Sequence, residues 1–178
     1  RLQQGSDKMK LLILGAGGHG QVVKEVAEAM EDEKGQPLYE KIDFLDDGNK
    51  KTVGRIEDAS LYLEHYDRAF VGIGNNQLRK HYMEVLESLG FSIPVLIHPS
   101  AYVSRSAVIE NGVVIEPKVT VNANTYISKG AIISVGAIVD HNAQIGPYCH
   151  INAGAICKAG SQIPEGRKLD AGEVAAGY

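Results

Sequence analysis

The sequence predicts a small α/β unit on a parallel sheet, followed by a parallel β-helix. Two patterns carry that prediction. From Ile97 to Leu169 every sixth residue is apolar: Ile97, Val103, Ile109, Ile115, Val121, Ile127, Ile133, Val139, Ile145, Ile151, Cys157, Ile163 and Leu169. A strand period of 2 or a helix period of 3.6 does not by itself hold a spacing of six for so long. Two residues before these positions runs a mostly small register that includes Ala101, Ala107, Thr125, Ala131, Ala137, Ala143, Cys149, Ala155 and Ser161. Hexapeptides of this kind stack as short strands around a triangular coil, three to a turn, so the repeat holds about four coils. Upstream of the repeat, strand and helix patterns alternate, which implies a parallel sheet.

The first eight residues, Arg1 to Lys8, are polar and read as a leader or tag remnant. Residues 9–96 then form the α/β unit. Lys10 to Leu14 is a short apolar strand, and Gln21 to about Glu31 places Val22, Val23, Val26, Ala27 and Met30 at helical spacing. Tyr39 to Leu45 and Ala69 to Ile73 read as strands, Gln77 to Leu89 as a helix stopped by Gly90, and Ser92 to Leu96 as a last strand. About ninety residues accommodate one βαβαβ unit. Residues 97–178 carry the β-helix.

Between the first strand and helix lies Gly15-Ala16-Gly17-Gly18-His19-Gly20, a GxGxxG turn in the context of a Rossmann-like nucleotide site. Bare glycine backbone and a free helix N-terminus suit a phosphate, and His19 adds an imidazole donor. Asp43, Asp46 and Asp47, 25 to 30 residues on, are within reach of a ribose or base. Because only one half of a dinucleotide fold is present, a mononucleotide or nucleotide-sugar fits better than NAD. A second glycine-rich strand end, Gly72-Ile73-Gly74-Asn75-Asn76, sits at the carboxyl edge of the sheet, where ligands of open parallel sheets bind. There Asn75 and Asn76 either meet a sugar or cap the following helix.

Within the repeat, most turn residues are small or chemically idle, except in Asp140-His141-Asn142 and at His150. His141 stands two residues past an inward position and so faces outward at a corner. An imidazole there can accept a proton from an amine or hydroxyl attacking a thioester, with Asp140 or Asn142 holding its tautomer and His150 donating to the thioester carbonyl. His98, His141 and His150 lack the spacing of a metal site, so none is expected. Cys149 and Cys157 fall on inward registers and read as reduced core residues. A net charge of −4 gives no general attraction for nucleic acid, and no apolar run is long enough to span a bilayer. The chain is therefore expected in the cytoplasm.

With these motifs in order, together with Phe44-Leu45-Asp46-Asp47 and Leu96-Ile97-His98-Pro99-Ser100, the chain resembles the bacterial sugar O/N-acetyltransferases. These join a Rossmann-like domain to a left-handed β-helix. They include the UDP-4-amino-sugar N-acetyltransferases of bacillosamine biosynthesis and the sialic acid O-acetyltransferases. The resemblance implies a homotrimer acting on a UDP-linked amino sugar, with acetyl-CoA as co-substrate and no tightly bound cofactor. It implies that Gly17, Gly18 and His19 hold the UDP phosphates, that Asp46 and Asp47 lie near the uridine, and that Gly74 and Asn75 approach the sugar. It further implies that His141 deprotonates the 4-amino group, that His150 binds the acetyl carbonyl, and that turn amides around Gly154 and Ala155 meet the pantetheine arm. Two departures stand out: Asn142 occupies the place of a glutamate after the histidine, and the repeat is shorter than the family's usual one. Sugar O-acetylation and a non-catalytic trimeric nucleotide-sugar-binding β-helix are the alternatives.

Overall fold

A computed structural model describes residues 8–178, so the expected leader lies outside the described residues apart from Lys8. The α/β unit holds strands β1 (Met9–Leu14), β2 (Tyr39–Leu45) and β3 (Arg68–Val71), all parallel in the order β2-β1-β3. Helix α1 spans Gly18–Ala29 and α2 spans Asn76–Leu89. β1 is central, and Leu11, Leu12, Ile13 and Leu14 are wholly buried, as a strand covered on both faces requires. α1 buries Val23, Val26 and Ala27. α2 ends at Gly90, whose φ of 88° is the left-handed cap that glycine adopts without a Cβ clash. A 3-10 helix at Ile56–Tyr62, absent from the sequence reading, links β2 to β3.

The expected strand at Ser92 to Leu96 does not form. Ala69 N–H reaches Ser92 O at 3.0 Å, but Pro94 has no N–H to extend a ladder. Leu96 instead opens the β-helix.

Fourteen two-residue strands follow at intervals of six, from Leu96–Ile97 to Val174–Ala175, stacked in three parallel sheets of five, five and four. These give four full coils and two further strands, close to the expected number. In each strand the second residue points inward. Ile115, Val121, Ile127, Ile133, Val139, Ile151, Cys157 and Leu169 are fully buried, and the small register (Ala131, Ala137, Ala143, Cys149, Ala155) fills the corners between them. The outward residues distinguish three faces. The first carries Leu96, Val114, Ile132, His150 and Lys168; the second Tyr102, Thr120, Ile138, Ile156 and Val174; the third Val108, Tyr126, Gln144 and Gln162.

The first face is where the two parts meet. Leu96, Val114, Ile132 and Tyr148 belong to the same core as the α/β sheet. Arg79, on α2 and only 1% exposed, is sewn into this seam. Its Nε donates to Gly130 O at 2.6 Å and its Nη2 to Tyr148 O at 3.0 Å and Cys149 O at 3.3 Å, all on the β-helix. Its Nη1 donates to Ile73 O and Gly74 O, each at 3.1 Å, and Nη2 also reaches Asn76 Oδ1 at 2.7 Å. No carboxylate among the described residues pairs with it, and burial pushes its pKa down to about 10. Arg79→Met keeps the bulk but orphans the buried carbonyls of Gly130 and Tyr148. Each bond to a charged donor contributes roughly 1.5–3 kcal/mol, so urea unfolding of the variant should show a loss of about 3 kcal/mol or more. Unchanged stability would mean that packing alone holds the seam.

Candidate functional site

The glycine turn after β1 divides into packing glycines and bare ones. A Cβ on Gly20 would lie 2.0 Å from Gly15 O, and one on Gly72 would meet Gly20 Cα at 3.0 Å, so these residues allow α1, β1 and the β3 end to interlock. Gly17 and Gly18 have nothing within 4 Å of such a Cβ. They are exposed backbone with no packing reason to be glycine, at a helix N-terminus with no side-chain cap and no acidic residue in its first turn. That is an open anion-binding surface.

Asp46 braces this turn. Its Oδ2 accepts Ala16 N–H at 2.8 Å, and its Oδ1 accepts Gly48 N–H at 2.8 Å and Asn49 N–H at 3.1 Å. These backbone donors, Ala16 first, hold its carboxyl below the usual range. Asp46 thus lies against the glycine turn and braces its loop. Asp47 is half exposed, with Oδ1 accepting Ile56 N–H at 3.0 Å. Asp43 accepts the Tyr66 hydroxyl at 2.7 Å.

At the β3 end, Asn75 Oδ1 caps α2 by accepting Leu78 N–H at 2.9 Å, while Asn76 bridges Arg79 and Gly166 O. Gly74, Asn75, Asn76, Gln77 and Lys168 line a cleft of about 410 Å³. Lys168 is the strand neighbour of His150 on the first face.

His19 turns from the glycine loop toward that face, where its ring lies 6.4 Å from the ring of His150. Ser134 Oγ sits 3.0 Å from His150 Nε2, and Glu116 Oε1 is 3.9 Å from His19 Nδ1. The other carboxylate oxygen of Glu116 accepts Val135 N–H at 2.8 Å, and burial pushes this carboxyl above its usual range. His19 Nε2 and His150 Nδ1 are buried without a protein partner. Both imidazoles are pushed down to about 4, chiefly by burial and then by the Arg79 charge. Both rings are therefore uncharged at neutral pH.

His141 lies elsewhere. It occupies the corner between the second and third faces, opposite the first face, so the two histidines that stand nine residues apart in sequence do not form one cluster within the chain. Its Nδ1 is 3.0 Å from Asp140 Oδ1, which also accepts the His141 backbone N–H at 2.7 Å. Asn142, the other candidate for holding the ring, adopts φ 59°. Its side chain donates to Tyr178 Oη at 3.0 Å, so its identity answers to the left-handed turn. The amides expected to meet a pantetheine arm are already committed: Gly154 N–H to Val135 O and Ala155 N–H to Asn152 O, each at 3.0 Å. The open space beside Gly154 leaves its backbone approachable.

Four participants escaped the sequence reading: Glu116, Ser134, Asn122 and Ala159. At several corners an Asn or Asp side chain caps the next amide, as Asn122 does for Ala123, Asp140 for His141 and Asn152 for Ala153. Lys158 cannot, and the Ala159 N–H, one coil above His141, has no acceptor among the described residues. That break in the corner pattern was a usable signal.

Comparison with known proteins follows this geometry. Residues 10–86 match the family described as PglD N-terminal domain. The acetyltransferase domain of PglB from Neisseria gonorrhoeae FA1090 superposes with a TM-score of 0.77 at 32% identity, over 96% of this chain and 92% of that one. The chain belongs to the hexapeptide-repeat sugar N-acetyltransferase family. Within this family, a UDP-N-acetylbacillosamine N-acetyltransferase from Bacillus subtilis (strain 168) is 34% identical over 113 residues, covering 58% of this chain and 49% of the relative. The chain thus spans about half the length of that curated relative. A histidine-to-alanine mutant of the GDP-perosamine N-acetyltransferase of Caulobacter crescentus, in complex with CoA and GDP-perosamine, superposes with a TM-score of 0.78 at 27% identity. That match covers 94% of this chain and 89% of that one.

The buried histidines set a pH dependence. Each has a folded pKa near 4 against an ordinary 6.5, so unfolding takes up protons below pH 6.5. Their contribution to stability is full above about 6.5, falls as pH drops toward 4, and changes no further below that. Melting temperature scanned from pH 7.5 to 4 should decline across this window. The slope should flatten in a His19→Gln/His150→Gln variant, and an equal slope in the two proteins would contradict the assignment.

Proposed function

We propose that the chain is an acetyl-CoA-dependent N-acetyltransferase for a nucleotide-linked amino sugar, with UDP as the carrier and His141 as general base. The observation that carries this reading is the Asp140–His141 contact. A carboxylate on Nδ1 fixes the tautomer that leaves the Nε2 lone pair facing solvent at an exposed corner. Nε2 takes the proton as the sugar amine attacks the thioester carbonyl. Negative charge gathers on the carbonyl oxygen, and the CoA thiolate leaves as the tetrahedral adduct collapses. The unpartnered Ala159 N–H, one strand spacing (about 4.8 Å) above His141, is suited to receive that oxygen, and His150 is a second donor for it. Gly17, Gly18 and the neutral His19 take the diphosphate. Gly74, Asn75 and the cleft toward Lys168 take the sugar.

A homotrimer fits this chemistry. His141 stands opposite the face that carries His150, so both can meet one substrate only when a second copy brings its own corner alongside. The second face supports such an association with an exposed apolar row: Tyr102 at 60%, Ile138 at 40% and Val174 at 51%. A head-to-tail contact of this kind closes as a ring when the rotation permits. No helix among the described residues is long and apolar enough to cross a membrane, and both cysteines are free and buried. These facts are in keeping with a cytoplasmic enzyme.

His141→Ala should lower CoA thiol release from acetyl-CoA plus UDP-4-amino-sugar by at least about 100-fold, the usual contribution of a positioned base, while UDP-sugar binding persists. Unchanged turnover would remove the base assignment. A thermal-shift panel with acetyl-CoA, UDP, GDP and NAD tests the ligands separately. Stabilisation by acetyl-CoA and UDP is expected; a response to UDP without acetyl-CoA, and without turnover, would favour a non-catalytic sugar-binding protein.

A further inference from the structure

Asn122 sits eighteen residues before Asp140, on the same corner one coil below. Its Oδ1 accepts the Ala123 N–H at 2.8 Å, which fixes which end of the amide is which. Its Nδ2 therefore faces up the corner and donates to Asp140 Oδ1 at 3.0 Å. That one oxygen takes three contacts: Asn122 Nδ2, the His141 N–H at 2.7 Å and His141 Nδ1 at 3.0 Å. The Asp140 carbonyl is also held, by Thr125 Oγ1 at 3.2 Å. The comparison that matters is Asn152, which caps the following amide in the same way at 2.8 Å but makes no side-chain bond to the next coil. Capping the turn needs only Oδ1. The upward donation by Nδ2 is a separate feature that ends on the Asp140 carboxylate beside the proposed base.

We propose that Asn122 is a positioning residue for acetyl transfer. It pins the Asp140 carboxylate from below, so that Asp140 holds the Nδ1–H tautomer of His141 at a corner exposed to water. The inference rests on reading His141 as the base. Without the Asn122 amide, Asp140 is free to rotate toward solvent at this exposed site, and the imidazole loses the partner that fixes its ring. A misoriented base lowers the rate of the chemical step and leaves substrate affinity alone.

Asn122→Asp separates the two roles, because a carboxylate still caps Ala123 N–H but offers Asp140 an acceptor in place of a donor. At pH 7, kcat for CoA thiol release should fall about tenfold, with KM for acetyl-CoA and for the UDP-amino sugar within about twofold. A double-mutant cycle supplies the second arm: Asn122→Ala should cost activity in the native background and add little in an Asp140→Asn background. A native kcat in Asn122→Asp, or the same loss from Asn122→Ala in both backgrounds, would overturn the proposal. His141→Ala in the same assay keeps the two readings apart. An inactive His141→Ala beside a fully active Asn122→Asp defeats the role of Asn122 alone, whereas an active His141→Ala defeats the base and this inference with it.

Discussion

The seam between the two parts is organised by one buried cation. A guanidinium withdrawn from water with no carboxylate partner costs several kcal/mol unless its donors are well satisfied. Arg79 meets that condition with carbonyls from three places: the β3 end at Ile73 and Gly74, the β-helix corner at Gly130, and the turn at Tyr148 and Cys149. Those acceptors converge in one arrangement of α2 against the first face. That arrangement lays the Gly74–Asn75 edge beside Lys168 and His19 over His150. The turn that supplies two of the carbonyls is itself strained. Tyr148 takes a φ of 55° at a corner where Gly112, Gly130 and Gly166 serve the other coils. An aromatic residue held in that region costs on the order of 1–3 kcal/mol. Its ring lies against Gly130 and within the core shared by both parts, so strain and packing act at the same point.

Chemistry in this fold runs across the chain. Residues eighteen apart stack on one corner, about 4.8 Å from each other, so a site is assembled along a column. Asn122, Asp140 and Lys158 form one such column, and Glu116, Ser134 and Asn152 another. In the first column the step from an amide to a carboxylate to a cation sets which backbone N–H is capped and which stays open. Neighbours along the sequence are separated instead. His141 and His150 are one and a half hexapeptides apart, which on a triangular coil carries the chain from a corner to the opposite face.

That geometry explains what was legible in the sequence and what was not. The period of six reports an inward register that packing enforces at every turn, so the β-helix, its coil length and its buried cysteines could be read directly. The glycine turn was equally plain, because Gly17 and Gly18 have no packing reason to be glycine. The brace that Asp46 makes is not legible in the sequence, because an acid after a second strand looks the same whether or not three backbone donors hold it against a loop. Arg79 left no signal, since on a helix with polar neighbours a buried cation is indistinguishable from a solvated one. Asn122 was hidden for a different reason: its partner is a coil away, and nothing local marks it as more than a turn residue.

The histidines show how one residue type takes different work from its surroundings. His19 and His150 lie in the seam, where burial and the Arg79 charge both oppose protonation, so they act as neutral hydrogen-bonding groups with one nitrogen each left for a ligand or water. His141 instead stands exposed at a corner, with the Asp140 carboxylate on its Nδ1. Burial in the seam, and after it the Arg79 charge, thus sets the first pair of imidazoles apart. Arg79 lies in the seam with that pair, across the coil from the corner that bears His141.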